Sequence, residues 1–289
     1  MYILFLLFFS LIIPVPVLAD LAFVANVDDN WDVFTIREDG SHLTRRTTTP
    51  YDEKEPSWSS DHKTIAYATS DGQLNLIDLT TGKTEPIAKD EQNTPRFNPA
   101  FSPDDNEIAF VQFKERANDD TDLKIFNRQT KTTRRVLDQY ALQMWPAWSP
   151  DGSRLVYVTS HCSAECGRMI QELWIAAPGG NDAKQLLLTN SFCQHPAWST
   201  DGTRIAFASD KGGNFDIWIL SLIDWQLTQV TTDQGLDVKP AWSPDGSKIA
   251  FVSSRSGIME IWIKDLETGK ERKLKPFGEK KVPCKDVVW

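Results

Sequence analysis

The chain has 289 residues, a formal net charge of −9 and a pI near 5.0. That acidity argues against DNA or RNA as a partner, because binding a phosphate backbone needs a basic surface that displaces counterions.

Residues 1–19, MYILFLLFFSLIIPVPVLA, carry no charge and end in Val-Leu-Ala, a small-residue pattern suited to cleavage just before Asp20. A cleaved signal peptide is expected. A membrane anchor is the competing reading, weakened by Pro14 and Pro16, by a run barely long enough to span, and by the missing Lys or Arg at its start. No Cys follows the cleavage point, so a lipid-anchored terminus is not expected, and the mature protein is placed in a periplasm or outside the cell.

Further along, one phrase recurs five times: EPSWSSDHKTIAY from Glu55, NPAFSPDDNEIAF from Asn98, WPAWSPDGSRLVY from Trp145, HPAWSTDGTRIAF from His195 and KPAWSPDGSKIAF from Lys239. Its aromatics, Trp58, Phe101, Trp148, Trp198 and Trp242, follow one another at intervals of 43 to 50 residues, the period of a propeller blade. After each comes Ser-Pro-Asp-Gly or a relative, in which Pro presets φ, Asp bonds its own turn and Gly accepts a positive φ. An apolar strand follows (IAFVSS from Ile249, LVYVTS from Leu155), then a polar loop, a third strand such as EIWIKDL from Glu260, a turn and a fourth strand. Four short strands, a to d outward from the axis, make a propeller blade. Residues 20–289 then form a single all-β domain of six units of about 45 residues.

The two ends complete each other. LAFVANVDDNWDVFTIREDGSHLT from Leu21 reads as strands b, c and d without a strand a, and KDVVW, Lys285 to Trp289, supplies an aromatic in phase with the repeat. The last strand is expected to join the first three and close a sixth blade, removing exposed edges.

This phrase structure resembles the TolB-like six-bladed propeller family, whose units carry Pro-x-Trp-Ser-Pro-Asp-Gly, then Ile-Ala-Phe, then an acid before the third strand. Here that acid is Asp32, Asp122, Glu172, Asp216 or Glu260, with Gln73 departing. The resemblance implies a propeller able to dock a partner lipoprotein. TolB also carries an α/β domain before its propeller, for which this sequence leaves no room, so that domain's role is not carried over.

The residue before each Pro is expected at the channel mouth, on the face shared by the d-to-a connections and b-to-c loops: Glu55, Asn98, Trp145, His195, Lys239 and, by alignment, Asp286. Six equivalent positions carry six different side chains, as in a surface shaped for one partner, although exposed strand entrances also drift freely. Trp145 suits stacking on a sugar or anchoring a peptide, and changing Trp145 and Lys239 together to alanine is expected to spare the melting temperature. Trp31, Phe215 and Met259 share another equivalent site and form either an apolar collar or packing under loops.

Four cysteines in an exported chain favour disulfides. Cys162 with Cys166, or that loop with Cys193, is the plausible bridge; Cys193 and Cys284 are equivalent positions two blades apart, hard to join. His161 and His195 flank these cysteines, but the spacing fits no zinc motif, and no metal or other cofactor is expected. His42 and His62 are expected in solvated turns on the opposite face. No Gly-x-Ser-x-Gly or His-Glu-x-x-His is present, and acid clusters such as Asp28 with Asp29, Glu53 with Glu55, and Asp119 with Asp120 read first as solvated loops. The preferred expectation is a monomeric, non-enzymatic binding or scaffolding module for a protein or cell-envelope component, a lipoprotein or glycan among them. The alternative is a metal-dependent lyase or hydrolase acting on a carbohydrate or small molecule in the channel mouth, with Glu55, His195 and Asp286 as candidates.

Overall fold

The structure is a computed structural model that describes residues 20–87, 94–114, 117–137, 139, 141–162, 169–187 and 189–289; the expected signal segment and Cys166 lie outside them. The described residues form six four-stranded antiparallel sheets arranged as blades. Blade 1 holds β1 (Asp20–Val27), β2 (Asn30–Arg37) and β3 (Thr44–Arg45). Blade 2 holds β4 (Glu53–Trp58), β5 (Thr64–Thr69), β6 (Leu74–Asp78) and β7 (Thr84–Pro86). Blade 3 holds β8 (Arg96–Phe101), β9 (Glu107–Lys114), β10 (Ala117–Asn127) and β11 (Thr132–Arg135). Blade 4 holds β12 (Leu142–Trp148), β13 (Leu155–Cys162), β14 (Met169–Ala176) and β15 (Lys184–Leu187). Blade 5 holds β16 (Cys193–Trp198), β17 (Arg204–Ser209), β18 (Asp216–Ser221) and β19 (Leu227–Gln229). Blade 6 holds β20 (Asp237–Trp242), β21 (Lys248–Ser253), β22 (Glu260–Asp265) and β23 (Glu271–Lys273).

The ring closes as the sequence predicts. β24 (Cys284–Val288) is the innermost strand of blade 1, pairing with β1 through Ala22 and Val288, Val24 and Lys285, and Ala25 and Cys284. Asn26 adds a backbone bond to Pro283 at 3.0 Å.

Second strands are buried on both faces because a blade lies on either side, and their alternation is that of a two-faced interface. Small residues face forward and large ones backward. Ala66 and Ala68 of blade 2 receive Ile108 and Phe110 of blade 3. Ala206 and Ala208 of blade 5 receive Ile249 and Phe251 of blade 6, and Ala250 and Val252 of blade 6 receive Leu21 and Phe23 of blade 1. The repeated Ile-Ala-Phe is therefore the code for stacking one blade on the next.

The repeated tryptophans tie the same junctions near the axis. Trp148 Nε1 donates to the Ala100 carbonyl at 3.1 Å, Trp198 to Ala147 at 3.2 Å and Trp242 to Ala197 at 3.1 Å, each reaching back one blade. The turn after each aromatic is braced by its aspartate: Asp201 Oδ1 accepts from Ser199 Oγ at 2.6 Å and Thr203 N at 3.0 Å. Gly202 then takes φ +69°, a conformation that His62 and Asp105 adopt in blades 2 and 3, where the sequence lacks the glycine.

Candidate functional site

The innermost strands of blades 2 to 6 break their pairing register at the residue before Pro, for example between Val238 and Ala241 and between Gln194 and Ala197, and β24 breaks it at Asp286, before Val287. At that point Glu55, Asn98, Trp145, His195, Lys239 and Asp286 all have positive φ, between 51° and 58°. For a residue with a Cβ this backbone costs about 1 kcal/mol or more. A bulge re-aims a side chain, and here six of them bring their side chains to one ring around the channel axis. Nothing in the residue types Glu, Trp, Lys or His announces a left-handed backbone, so sequence reasoning found the positions and missed the bulge.

The ring is a relay of hydrogen bonds between blades. Asp286 Oδ2 accepts from Glu55 N at 3.1 Å, Glu55 Oε2 accepts from Asn98 N at 2.7 Å, and Asn98 Oδ1 accepts from Trp145 N at 3.2 Å. The Trp145 ring then packs on the His195 ring, centroids 4.2 Å apart. On the other side of Asp286, Lys239 Nζ pairs with Oδ1 at 2.7 Å. His195 Nδ1 is buried without a hydrogen-bond partner.

The electrostatics follow from burial around one cation. Burial, with Lys239 beside it, holds the His195 pKa well below the usual histidine range, so the ring is neutral. Burial also raises Glu55, with Lys239 opposing. Asp286 resists the same burial because Lys239, the Lys239 hydrogen bond and the Glu55 amide outweigh it, and its pKa is lowered. The arrangement is a small polar floor with one ion pair, a carboxyl whose pKa burial raises and a buried imidazole nitrogen without a hydrogen-bond partner.

From this floor a cavity of about 500 Å³ runs along the strands, walled by Ala100, Ala147, Ala197 and Ala241 and by the edges of the repeated tryptophans. It reaches Ser60, Pro103, Pro150 and Thr200, so it opens among the a-to-b turns. The channel mouth expected from the sequence lies on the opposite face, among the d-to-a connections and b-to-c loops. Among the described residues, none from the b-to-c loops lines this cavity, and the turn that carries His62 supplies Ser60 to its rim. His62 itself stacks on Trp58 at 4.8 Å, and His42 is exposed.

Other expected sites resolve into structure. Trp31, Phe215 and Met259 pack against three separate inter-blade clusters and form no collar. Cys193 is a free, fully buried thiol between Thr189 and Ser209, so no bridge joins it to the blade 4 loop; burial pushes its pKa to about 11. Cys284 is likewise free and buried. A Cys162 to Cys166 bridge, and the side chain of Asp119, lie outside the described residues. His161 Nε2 faces Glu172 Oε2 at 3.6 Å. Among the described residues no three His, Cys, Asp or Glu side chains converge as a metal site would need. No described helix is long and apolar enough to cross a membrane.

A closed ring of six four-stranded blades around an axial cavity defines a six-bladed β-propeller. The TolB beta propeller domain matches residues 56–167 and 172–285, and the chain belongs to that family. TolB from Acinetobacter baumannii is similar in fold with a TM-score of 0.79 at 20% identity over 93% of this chain, which spans 66% of that protein's length. A protein assigned as TolB from Agrobacterium tumefaciens gives 0.72 at 18% identity, covering 93% of this chain and 98% of its own. Oligogalacturonate lyase from Vibrio parahaemolyticus gives 0.63 at 15% identity over 88% and 74%. At such identities the likeness is one of fold. No curated protein matches in sequence.

Proposed function

We propose that this chain is an exported, non-enzymatic binding module that receives part of a protein or envelope component in its axial channel. The observation that carries this reading is the cavity itself: about 500 Å³, apolar along its walls, polar at its floor and open among the a-to-b turns. Apolar walls supply affinity and a few placed polar groups supply orientation. Glu55, Asn98, Trp145, His195, Lys239 and Asp286 are the proposed floor contacts. Family membership supports an envelope setting, and the uncharged first nineteen residues support export to the periplasm. The lyase alternative has fold likeness behind it, but the described donor set around His195 offers no three-ligand cluster.

Narrowing the opening tests the reading. Thr200→Trp and Ser60→Trp should reduce retention of a partner from the source organism's envelope extract, while Thr130→Trp on the outer turn of blade 3 should not. Equal retention by all three variants would place recognition elsewhere.

A further inference from the structure

Two blade junctions share one device built from a third-strand aspartate, a threonine and the first acid of the next innermost strand. Between blades 5 and 6, Thr231 Oγ1 accepts from Ile217 N at 2.9 Å and donates toward Asp216 at 3.2 Å, beside Asp237. Asp237 is fully buried and held by Arg255 Nη2 at 2.7 Å. Burial raises the Asp237 pKa, and the Arg255 guanidinium opposes that rise.

Between blades 1 and 2 the same parts lack that cation. Thr47 Oγ1 accepts from Val33 N at 2.8 Å, donates to Glu53 Oε2 at 2.9 Å and lies 3.4 Å from Asp32 Oδ1. Asp32 and Glu53 are both fully buried. The nearby cation, Arg45, pairs with Asp32. Among the described residues Glu53 receives hydroxyl donors, from Thr47 and from Thr49 at 2.5 Å, and meets the Asp32 carboxyl. The position of Arg255, two residues past the strand partner Ser253, is occupied in blade 2 by Asp71, two residues past the strand partner Thr69. Asp71 is engaged by Thr69 Oγ1. Among the described residues the Tyr67 phenol of β5 also interacts with Glu53, alongside Asp32 and its partner Arg45.

We infer that the junction of blades 1 and 2 is a proton-controlled latch, closed while Glu53 carries a proton beside Asp32 and loosened when Glu53 ionises and two buried carboxylates face each other across Thr47. Burial lifts the Glu53 carboxyl to about 7, with Asp32 adding to the rise against the two threonine bonds. The raised folded value means the proton stabilises the junction fully below the unfolded value near 4.5 and that this contribution is lost as pH rises through about 7. The latch reaches the channel through β4: Glu55, two residues on, donates its amide to Asp286 and accepts from Asn98. Ionising Glu53 therefore disturbs the strand that links the ring's closing residue to blade 3.

Hydrogen exchange of the full chain at pH 6 and pH 8, corrected for intrinsic rates, tests this. Protection of β4 should fall about tenfold relative to β20, whose Asp237 has its arginine. Glu53→Gln, which imitates the protonated acid, should abolish the difference, and so should Asp71→Arg, which supplies the missing cation. The inference is overturned if β4 in the parent loses no more protection than β20, a comparison needing no variant, or if the pH effect survives Glu53→Gln.

Discussion

Lys239 of blade 6 and Asp286 of the closing strand meet at 2.7 Å, their side chains 21% and 7% exposed. The pair joins the last full blade to the strand that closes the ring, on a backbone that both residues hold at positive φ. It therefore belongs to ring closure as much as to the channel floor, and the sequence-based expectation that Lys239 can be removed without thermal cost does not follow from this geometry.

Lys239→Ala should lower unfolding free energy by about 3 kcal/mol, since it leaves a buried carboxylate without its cation. Adding Asp286→Asn should recover part of the loss, because the asparagine oxygen can still accept from Glu55 N. Denaturant titration of both variants reads the difference; a single variant as stable as the parent would show that water already compensates Asp286.

Trp198→Phe should cost about 1 kcal/mol for the lost bond to Ala147. Trp58→Phe should cost less, because Trp58 Nε1 has no hydrogen-bond partner and the phenyl ring keeps its place over His62. Paired melts of the two variants separate the hydrogen bond from ring packing, and equal losses would remove the bond's special role.

The turn aspartates predict acid behaviour opposite in sign to that of Glu53. Serine hydroxyls and turn amides hold Asp151, Asp201 and Asp245 down to about 2, below the ordinary 3.8. Their contribution is complete above that ordinary value and is lost as pH falls toward 2. Melting temperature should therefore drop between pH 4 and pH 2, and Asp201→Asn should make that drop shallower.

Removing Lys285 to Trp289 deletes most of β24 and opens blade 1, exposing the edge of β1. The truncated chain should unfold as a whole at lower temperature. A transition matching the full chain would mean that β1 to β3 hold without their inner strand.

Much of this fold was legible because stacking blades repeats one physical problem. Ile-Ala-Phe, the turn aspartate and the out-of-phase ends each state a local solution, and β24 pairs with β1 as those ends require. Five ring positions were legible by their variety beside an unvarying Pro, and Asp286 by its alignment with them. The side on which the cavity opens was not, because the bulge at Glu55 and its equivalents depends on backbone dihedrals that side-chain identity does not specify. The Glu53 latch was equally hidden: Glu53 and Glu55 read as a loop cluster, whereas one is sealed between blades and the other faces the axis.

The most direct test of the channel as the binding surface is photo-crosslinking in the envelope of the source organism, with a reactive side chain placed at Thr200 on the cavity rim or at Thr130 on the outer turn. A discrete adduct is expected from position 200 and none from position 130. Adducts from position 130 alone, or equally from both, would contradict it.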